Sequence, residues 1–349
     1  MAKKCVIVVG MHRSGTSALT AAAHACGFEL GSIGDTKDQD NPKGYFENFD
    51  IVRFNDTLLR NLGSSWDIPG FSADVNRDEI AARYKDEAAR LLEKFYGNSD
   101  RWVLKDPRMC MLLWFWEPIM QELGTGKVYY VVALRNPLEV ANSQKKRCAV
   151  NPGFHVLGSD IRYTMLLWYT YYKTAISTMT GKSAIVVNYT DLISQPLKEI
   201  ERIATLTSET PNSELIEWYR DEFIDSRLRR ASRGVDGRDE EIGGLDFVFS
   251  MHERLKALSG ETPVSAEDLR RCLTENEAQF DSKLVEALTA AVVEPSRELY
   301  KYKRGAAHYR SEAARYKLRC ERMNNSISWK ITKPLRGLRK LLISSDGGE

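Results

Sequence analysis

Hydrophobic and polar positions along the chain switch repeatedly between the spacing of strands and that of helices. Residues 6–9, Val-Ile-Val-Val, form a short β-branched run that feeds a glycine-containing loop and then a helix through Ala21, Ala22 and Ala23. Further helices are predicted over 50–62 and 78–95, the second from Ala, Leu and Tyr recurring at helical spacing. Short apolar runs predict strands at 102–104, 128–134 and 184–188. Pro137 suits a first helical position, so a helix continues over 138–147, and another follows over 196–205. The stretch 160–178 predicts a long helix with Tyr163, Trp168, Tyr169, Tyr171 and Tyr172. Aromatics on several faces of a helix predict burial, with a carbohydrate-stacking surface as the alternative reading. Helices resume at 265–277 and 281–291.

The first strand opens onto Gly10-Met11-His12-Arg13-Ser14-Gly15-Thr16-Ser17. Gly10 and Gly15 let the backbone curl so that N–H groups point inward, and the first helical turn adds unpaired donors and the positive end of its dipole. This predicts an anion cradle. The lysine expected after the second glycine of a nucleotide-triphosphate loop is replaced by Thr16, and Arg13 sits inside the loop. A guanidinium forks two oxygens of a phosphate or sulfate without a metal. A glycine-rich turn with no ligand is the alternative. The pattern as a whole predicts an α/β fold of the P-loop-like type: an open parallel sheet flanked by helices, with a C-terminal helical extension.

Three other strands end in polar residues: Lys105-Asp106-Pro107-Arg108, Arg135-Asn136-Pro137 and Tyr189-Thr190-Asp191. In an open parallel sheet ligands collect at the carboxyl ends of the strands, so residues 10–17, Lys105, Arg135 and Tyr189 are expected to converge on one crevice. The polar loop 31–49, with Asp35, Asp38 and Gly44-Tyr45-Phe46-Glu47-Asn48, stands next to the cradle in sequence and suits acceptor-side chemistry.

Composition changes this picture in one place. The 349 residues are 43% apolar and 28% charged, as in an ordinary enzyme-sized globular chain. Their net charge of +2, however, conceals an asymmetry: residues 301–349 hold 13 Lys/Arg against 4 Asp/Glu, leaving 37 against 44 in residues 1–300. The start of the chain, Met-Ala-Lys-Lys before a short strand, reads as neither a signal peptide nor a membrane span. Cysteines 5, 26, 110, 148, 272 and 320 lack metal-ligand spacing and read as reduced, buried residues of a cytoplasmic protein. Residues 227–244, with Arg227, Arg229, Arg230 and Arg233, predict a surface loop whose arginines either close over a bound nucleotide or are solvated.

Domain boundaries are expected at 1–295 for the catalytic body, 296–325 for a heptad-patterned helix and 326–349 for a basic amphipathic or disordered tail. Leu299, Tyr302, Ala306, Tyr309, Ala313, Tyr316, Cys320 and Met323 repeat at 3-4 spacing, a seam for homodimerisation or for docking on the chain's own body. Trp329 and Leu338, Leu341, Leu342 and Ile343 among basic residues suit peripheral contact with an anionic membrane at its inner face, or a solubilising end. Nucleic acid is not an expected partner, because the tail aromatics follow the seam.

Two separated blocks carry a family resemblance, and residues 4–200 are similar to sulfotransferases that use 3′-phosphoadenosine 5′-phosphosulfate (PAPS). His12-Arg13-Ser14-Gly15-Thr16-Ser17 resembles the family's 5′-phosphosulfate loop in its arginine form. Leu134-Arg135-Asn136-Pro137 with Ser143 and Arg147 resembles its 3′-phosphate block. The resemblance implies that Arg13, Ser14, Gly15, Thr16 and Ser17 hold the 5′-phosphate, that Arg135, Ser143 and Arg147 hold the 3′-phosphate, and that Tyr189 contacts adenine. It implies no metal cofactor. Arg13 and Lys105 would offset charge on the leaving oxygen, with a Lys105–Asp106 salt bridge as the alternative for Lys105. Glu47 is the first choice as general base, Asp35 and Asp38 the next, and His12 is assigned to orienting the loop. The Arg-Lys-Gly…Gly-Asp-Trp-Lys loop of cytosolic small-molecule sulfotransferases has only a loose counterpart at 229–234. The segment Ser-Ile-Ser-Trp-Lys-Ile-Thr-Lys-Pro-Leu-Arg resembles tails of bacterial glycosyltransferases and polysaccharide-modifying proteins, which implies a glycan hydroxyl as acceptor. A P-loop kinase using ATP and a non-catalytic nucleotide-binding scaffold of a glycan-assembly complex are the alternative functions.

Overall fold

The computed structural model describes residues 3–33, 44–70, 75–150, 160–179, 183–223 and 244–274, with scattered positions between 290 and 322. Four parallel strands, β1 (Lys3–Val9), β2 (Arg101–Lys105), β3 (Thr125–Leu134) and β4 (Ser183–Asn188), make one sheet in the order β2-β1-β3-β4. Ile7 pairs with Leu104 on one side and Tyr130 on the other, and Val132 pairs with Val186. The chain therefore steps from β1 to one side and then builds outward on the other. That reversal opens a crevice at the carboxyl end of β1.

Side chains alternate between the two faces of the sheet, and each face has its own core. Cys5, Ile7, Val9, Leu104, Tyr130, Val132 and Val186 pack with α2 (Phe49–Asn61), α3 (Arg77–Tyr96), α4 (Met109–Glu122) and α6 (Ile161–Thr178). Val6, Val8, Val103, Val131, Ala133 and Val187 pack with α1 (Thr16–Ala25), α8 (Pro196–Thr207) and α9 (Ser213–Phe223). The remaining described helices are α5 (Pro137–Val150), α7 (Tyr189–Ser194), α10 (Asp246–Ala257) and α11 (Ala266–Thr274).

Tyr163, Trp168, Tyr169, Tyr171 and Tyr172 of α6 are all buried, so the packing reading of this helix holds and the stacking-surface reading does not. Cys5, Cys26, Cys110, Cys148 and Cys272 are buried free thiols. None of the described helices is long and apolar enough to cross a membrane.

The chain divides into two compact units, Met1–Pro295 and Ser296–Glu349. In the second, Tyr316 of the heptad seam is exposed. The rest of the seam is described only at scattered positions. The tail 326–349, the loop arginines 227–233 and most of the predicted helix 281–291 lie outside the described residues.

Candidate active site

The loop after β1 is held open by two neighbours. A Cβ on Gly10 would stand 2.7 Å from the Ala133 carbonyl oxygen at the end of β3. The Gly10 N–H donates to the Cys110 Sγ at 3.0 Å, and burial pushes that thiol up to about 12, so the sulfur stays protonated. Arg13 has φ of +72°, a left-handed conformation that costs a non-glycine residue about 1–3 kcal/mol and concentrates at functional sites. Gly15 has φ of +91° and ends the loop as the N-cap of α1, with no side chain capping the helix. The first-turn N–H groups, lacking carbonyls one turn back, are left facing the crevice end of β1.

Arg13 also joins this loop to a block more than a hundred residues away. Its Nε donates to Ser143 Oγ on α5 at 3.0 Å, while Arg135 Nη1 donates to the Arg13 carbonyl at 2.9 Å. Arg135 sits just past β3, fixed by Glu139 Oε2 at 3.0 Å and stacked 4.1 Å from the centre of the Tyr189 ring. Tyr189 in turn packs on the loop, because a Cβ on Gly15 would lie 2.8 Å from its Cδ2. The two sequence blocks and Tyr189 thus form one continuous set of contacts.

Lys105, at the end of β2, closes the other side. Its buried Nζ donates to Glu47 Oε1 at 2.6 Å and to the Tyr45 carbonyl at 2.7 Å. The strand-end pairing with Asp106 is not what forms. Asp106 instead accepts from the Arg108 backbone and Nη1, each at 3.0 Å, and from Asn55 Nδ2 at 2.9 Å, and Arg108 Nε reaches Asp56 at 2.6 Å. Asp35 and Asp38 lie outside the described residues.

Tyr45 was not singled out from sequence, yet it touches three of the site residues that were. Its carbonyl accepts from Ser17 Oγ at 3.1 Å as well as from Lys105, and its phenol oxygen accepts from Arg147 Nη2 at 3.1 Å. Gly44 at φ +90° and Phe46 at φ +56° turn the chain so that this carbonyl faces inward. Arg147 therefore stands against the loop that carries Tyr45 and Glu47 as well as one helical turn from Ser143. Tyr45→Phe, which removes only the phenol oxygen, is expected to lower stability by about 1.5–3 kcal/mol, the net worth of one hydrogen bond to a charged group. Urea denaturation measures it, and a loss above roughly 3 kcal/mol would mean that the ring itself had been displaced.

The buried aromatic helix α6 also reaches the site, through its polar tips. Trp168 Nε1 donates to the Arg135 carbonyl at 3.1 Å, and the Tyr172 hydroxyl donates to Ala133 O. Tyr171 and Tyr163 donate to the Trp66 and Asp67 carbonyls, both at 2.6 Å. These contacts pin the end of β3 and the turn that carries Trp66.

Positive charge dominates the electrostatics. Burial, then repulsion from Arg147 and Arg135, lowers Arg13 from its ordinary value. Burial, then Arg108, Arg147, Lys105 and Arg13, holds His12 well below the usual imidazole range. Burial raises Glu47, and Lys105 pulls it back toward ionisation. A bound anion at the end of β1 would relieve the crowding of like charges that the free protein carries. The described residues contain no group of three or more His, Cys, Asp or Glu side chains placed to hold a metal ion.

No protein-family model and no curated protein matches the chain. Its structure is similar to those of three sulfotransferases. One is the sulfotransferase domain of the Synechococcus PCC 7002 olefin synthase, at 16% identity over 80% of this chain and 96% of that one, with a TM-score of 0.36. The second is sulfotransferase STF9 from Mycobacterium avium, at 11% identity over 80% and 78%, with a TM-score of 0.39. The third is the sulfotransferase domain of the curacin biosynthetic pathway, at 14% identity over 78% and 97%, with a TM-score of 0.34.

Proposed function

We propose that the chain is a sulfotransferase that moves a sulfuryl group from PAPS to a hydroxyl acceptor, with a sugar of a surface glycan or its precursor as the first candidate. The observation that carries this reading is the Arg13–Ser143 and Arg135–Arg13 contact pair, which joins a glycine cradle at a helix N-terminus to a second cationic block. ATP has no 3′-phosphate for such a second block. The Gly10 and Gly15 cradle, which added Cβ atoms would fill, and the like-charge crowding at Arg13 both suit a ligand with two anionic ends.

When bound, PAPS supplies the sulfuryl group. In this reading Arg13 and the N–H groups of residues 14–17 hold the 5′-phosphate, while Arg135, Ser143 and Arg147 hold the 3′-phosphate. Tyr189 offers its ring to adenine. Glu47 takes the proton of the acceptor hydroxyl, and Lys105 both keeps the Glu47 carboxylate ionised against burial and lends positive charge where the leaving oxygen gains negative charge. The glycan acceptor, a dimer through 299–323 and contact of the basic tail with a membrane are proposed from the sequence resemblance and pattern.

A thermal-shift measurement tests the donor. Adenosine 3′,5′-bisphosphate without magnesium is expected to stabilise the protein by about 2.7 kcal/mol when present at a hundredfold its Kd. A shift with Mg-ATP alone would replace this reading with the kinase. Transfer of labelled sulfate into a crude polysaccharide fraction, followed by identification of the product, tests the acceptor.

A further inference from the structure

Two buried side-chain atoms of the loop, Ser14 Oγ and His12 Nε2, meet no hydrogen-bond partner among the described residues, and of these two residues only His12 has no place in the roles above. Its ring is wedged edge-on against Trp66, centroids 4.9 Å apart, and lies 6.2 Å from Tyr171. The Tyr171 hydroxyl fixes that wedge by donating to the Trp66 carbonyl at 2.6 Å. Arg13 of the loop, Lys105 of β2, Arg108 at the start of α4 and Arg147 of α5 all act on this imidazole. A buried nitrogen without a partner forfeits its hydrogen bond to water, a cost that folded proteins accept mainly where a ligand completes the pair.

Resting on the sulfotransfer reading, we infer that His12 Nε2–H is a hydrogen-bond donor to the sulfuryl group being transferred, a direct contact rather than a means of orienting the loop. Three features support it. His12 stands between the end of β1 and Arg13, so its ring is presented beside the cradle and not from a distant element. The four cations disfavour a fifth positive charge, and burial disfavours it more, so the imidazole is neutral with a single N–H, which the inference puts on Nε2, the nitrogen left without a partner. The aromatic wedge fixes the ring, so the donor needs no reorganisation when an anion arrives. Adenosine 3′,5′-bisphosphate lacks the sulfuryl group, which separates this contact from those made by the rest of the loop.

The experiment compares binding of PAPS and of adenosine 3′,5′-bisphosphate by calorimetry, without acceptor, in wild type, His12→Phe and His12→Gln. His12→Phe is expected to weaken PAPS by about 10- to 100-fold, the range for one hydrogen bond to a charged group, and to leave the bisphosphate within about twofold. His12→Gln, whose amide donates from a similar reach, is expected to recover most of the PAPS affinity. Equal loss of both ligands in His12→Phe would overturn the inference in favour of loop orientation. So would an unchanged PAPS affinity, or a His12→Gln as weak as His12→Phe. Failure of the wild type to bind either ligand would instead sink the sulfotransfer reading on which the inference stands.

Discussion

Lys105→Met is expected to cost the protein roughly 3–5 kcal/mol at pH 8, the usual penalty for stranding one partner of a buried ion pair. The cost should depend on pH with a definite sign. Burial already raises Glu47 and Lys105 holds it down, so removing the lysine raises it further. The unfolded chain ionises Glu47 near the ordinary carboxylate value, whereas the folded variant keeps the proton to higher pH. Between those two points the folded state binds more protons, and stability falls as pH rises. The deficit against wild type should therefore be smallest near pH 5 and grow toward pH 8, as urea denaturation at both values would show. Lys105→Met/Glu47→Gln, which strands no charge, should recover most of the loss. A deficit that stays constant with pH, or a double variant no more stable than the single one, would show that the pair does not hold this part of the site.

The same variants separate stability from chemistry. In the proposed reaction, losing a preorganised positive group costs about 100- to 1000-fold in turnover, and losing the proposed base Glu47 costs a further factor that the double variant cannot recover. Recovery of stability without recovery of turnover is thus the expected pattern. Glu47→Gln alone should still bind nucleotide, because its contacts lie with Lys105 rather than with the residues assigned to the phosphates.

What could be read from the sequence followed from how local each signal was. The four strands announce themselves as apolar runs ending in polar residues, and their parallel order brings those ends together without further information. Helix α4 gave no such signal. Met109, Cys110, Met111, Leu112, Leu113, Phe115, Trp116, Ile119 and Met120 are all buried, and its outward face begins with Trp114 and Pro118 and turns polar only at Gln121 and Glu122, so the pattern offers almost no polar period to count. Helices α9 and α10 gave no clear signal either; they flank the stretch 227–244, whose glycines and arginines break any periodicity in the sequence.

At the site, the residues with motif spacing, from Arg13 to Tyr189, come together as the strand ends predict, because the parallel sheet brings those ends to one side. Tyr45 was not legible in the sequence, because its main link to Lys105 and Ser17 is a carbonyl, which every residue has. Nor was the role of α6. Its aromatic content correctly predicted packing, but which hydroxyl or indole N–H reaches which carbonyl is fixed only by the fold. Lys105 illustrates the same limit: Asp106 is adjacent in sequence, yet the strand end turns Lys105 toward Glu47 and leaves Asp106 to Arg108 and Asn55.

Gly15→Ala is expected to weaken nucleotide binding with little loss of fold. At φ +91° an alanine carries about 1–2 kcal/mol of left-handed strain, which the body can absorb. The added Cβ is the larger matter, since it would sit 2.8 Å from Tyr189 Cδ2 and 3.4 Å from Leu192 Cδ2. Tyr189 must then move, and with it the Arg135 guanidinium stacked 4.1 Å from its ring, whose Nη1 holds the Arg13 carbonyl. One methyl group thus disturbs both ends of the site. Affinity for adenosine 3′,5′-bisphosphate should fall at least about tenfold, a loss of 1.4 kcal/mol. Turnover should fall about 100-fold or more, the scale set by displacements near 1 Å. Gly124→Ala is the matched control: its φ of +77° imposes similar strain, and nothing lies within 4 Å of its Cβ. Calorimetric affinity and initial rates for the two variants, beside their denaturation midpoints, decide the matter. Equal loss of function in both would assign the effect to strain. Loss confined to Gly15→Ala assigns it to the contact between the loop and Tyr189, the joint between the two sequence blocks.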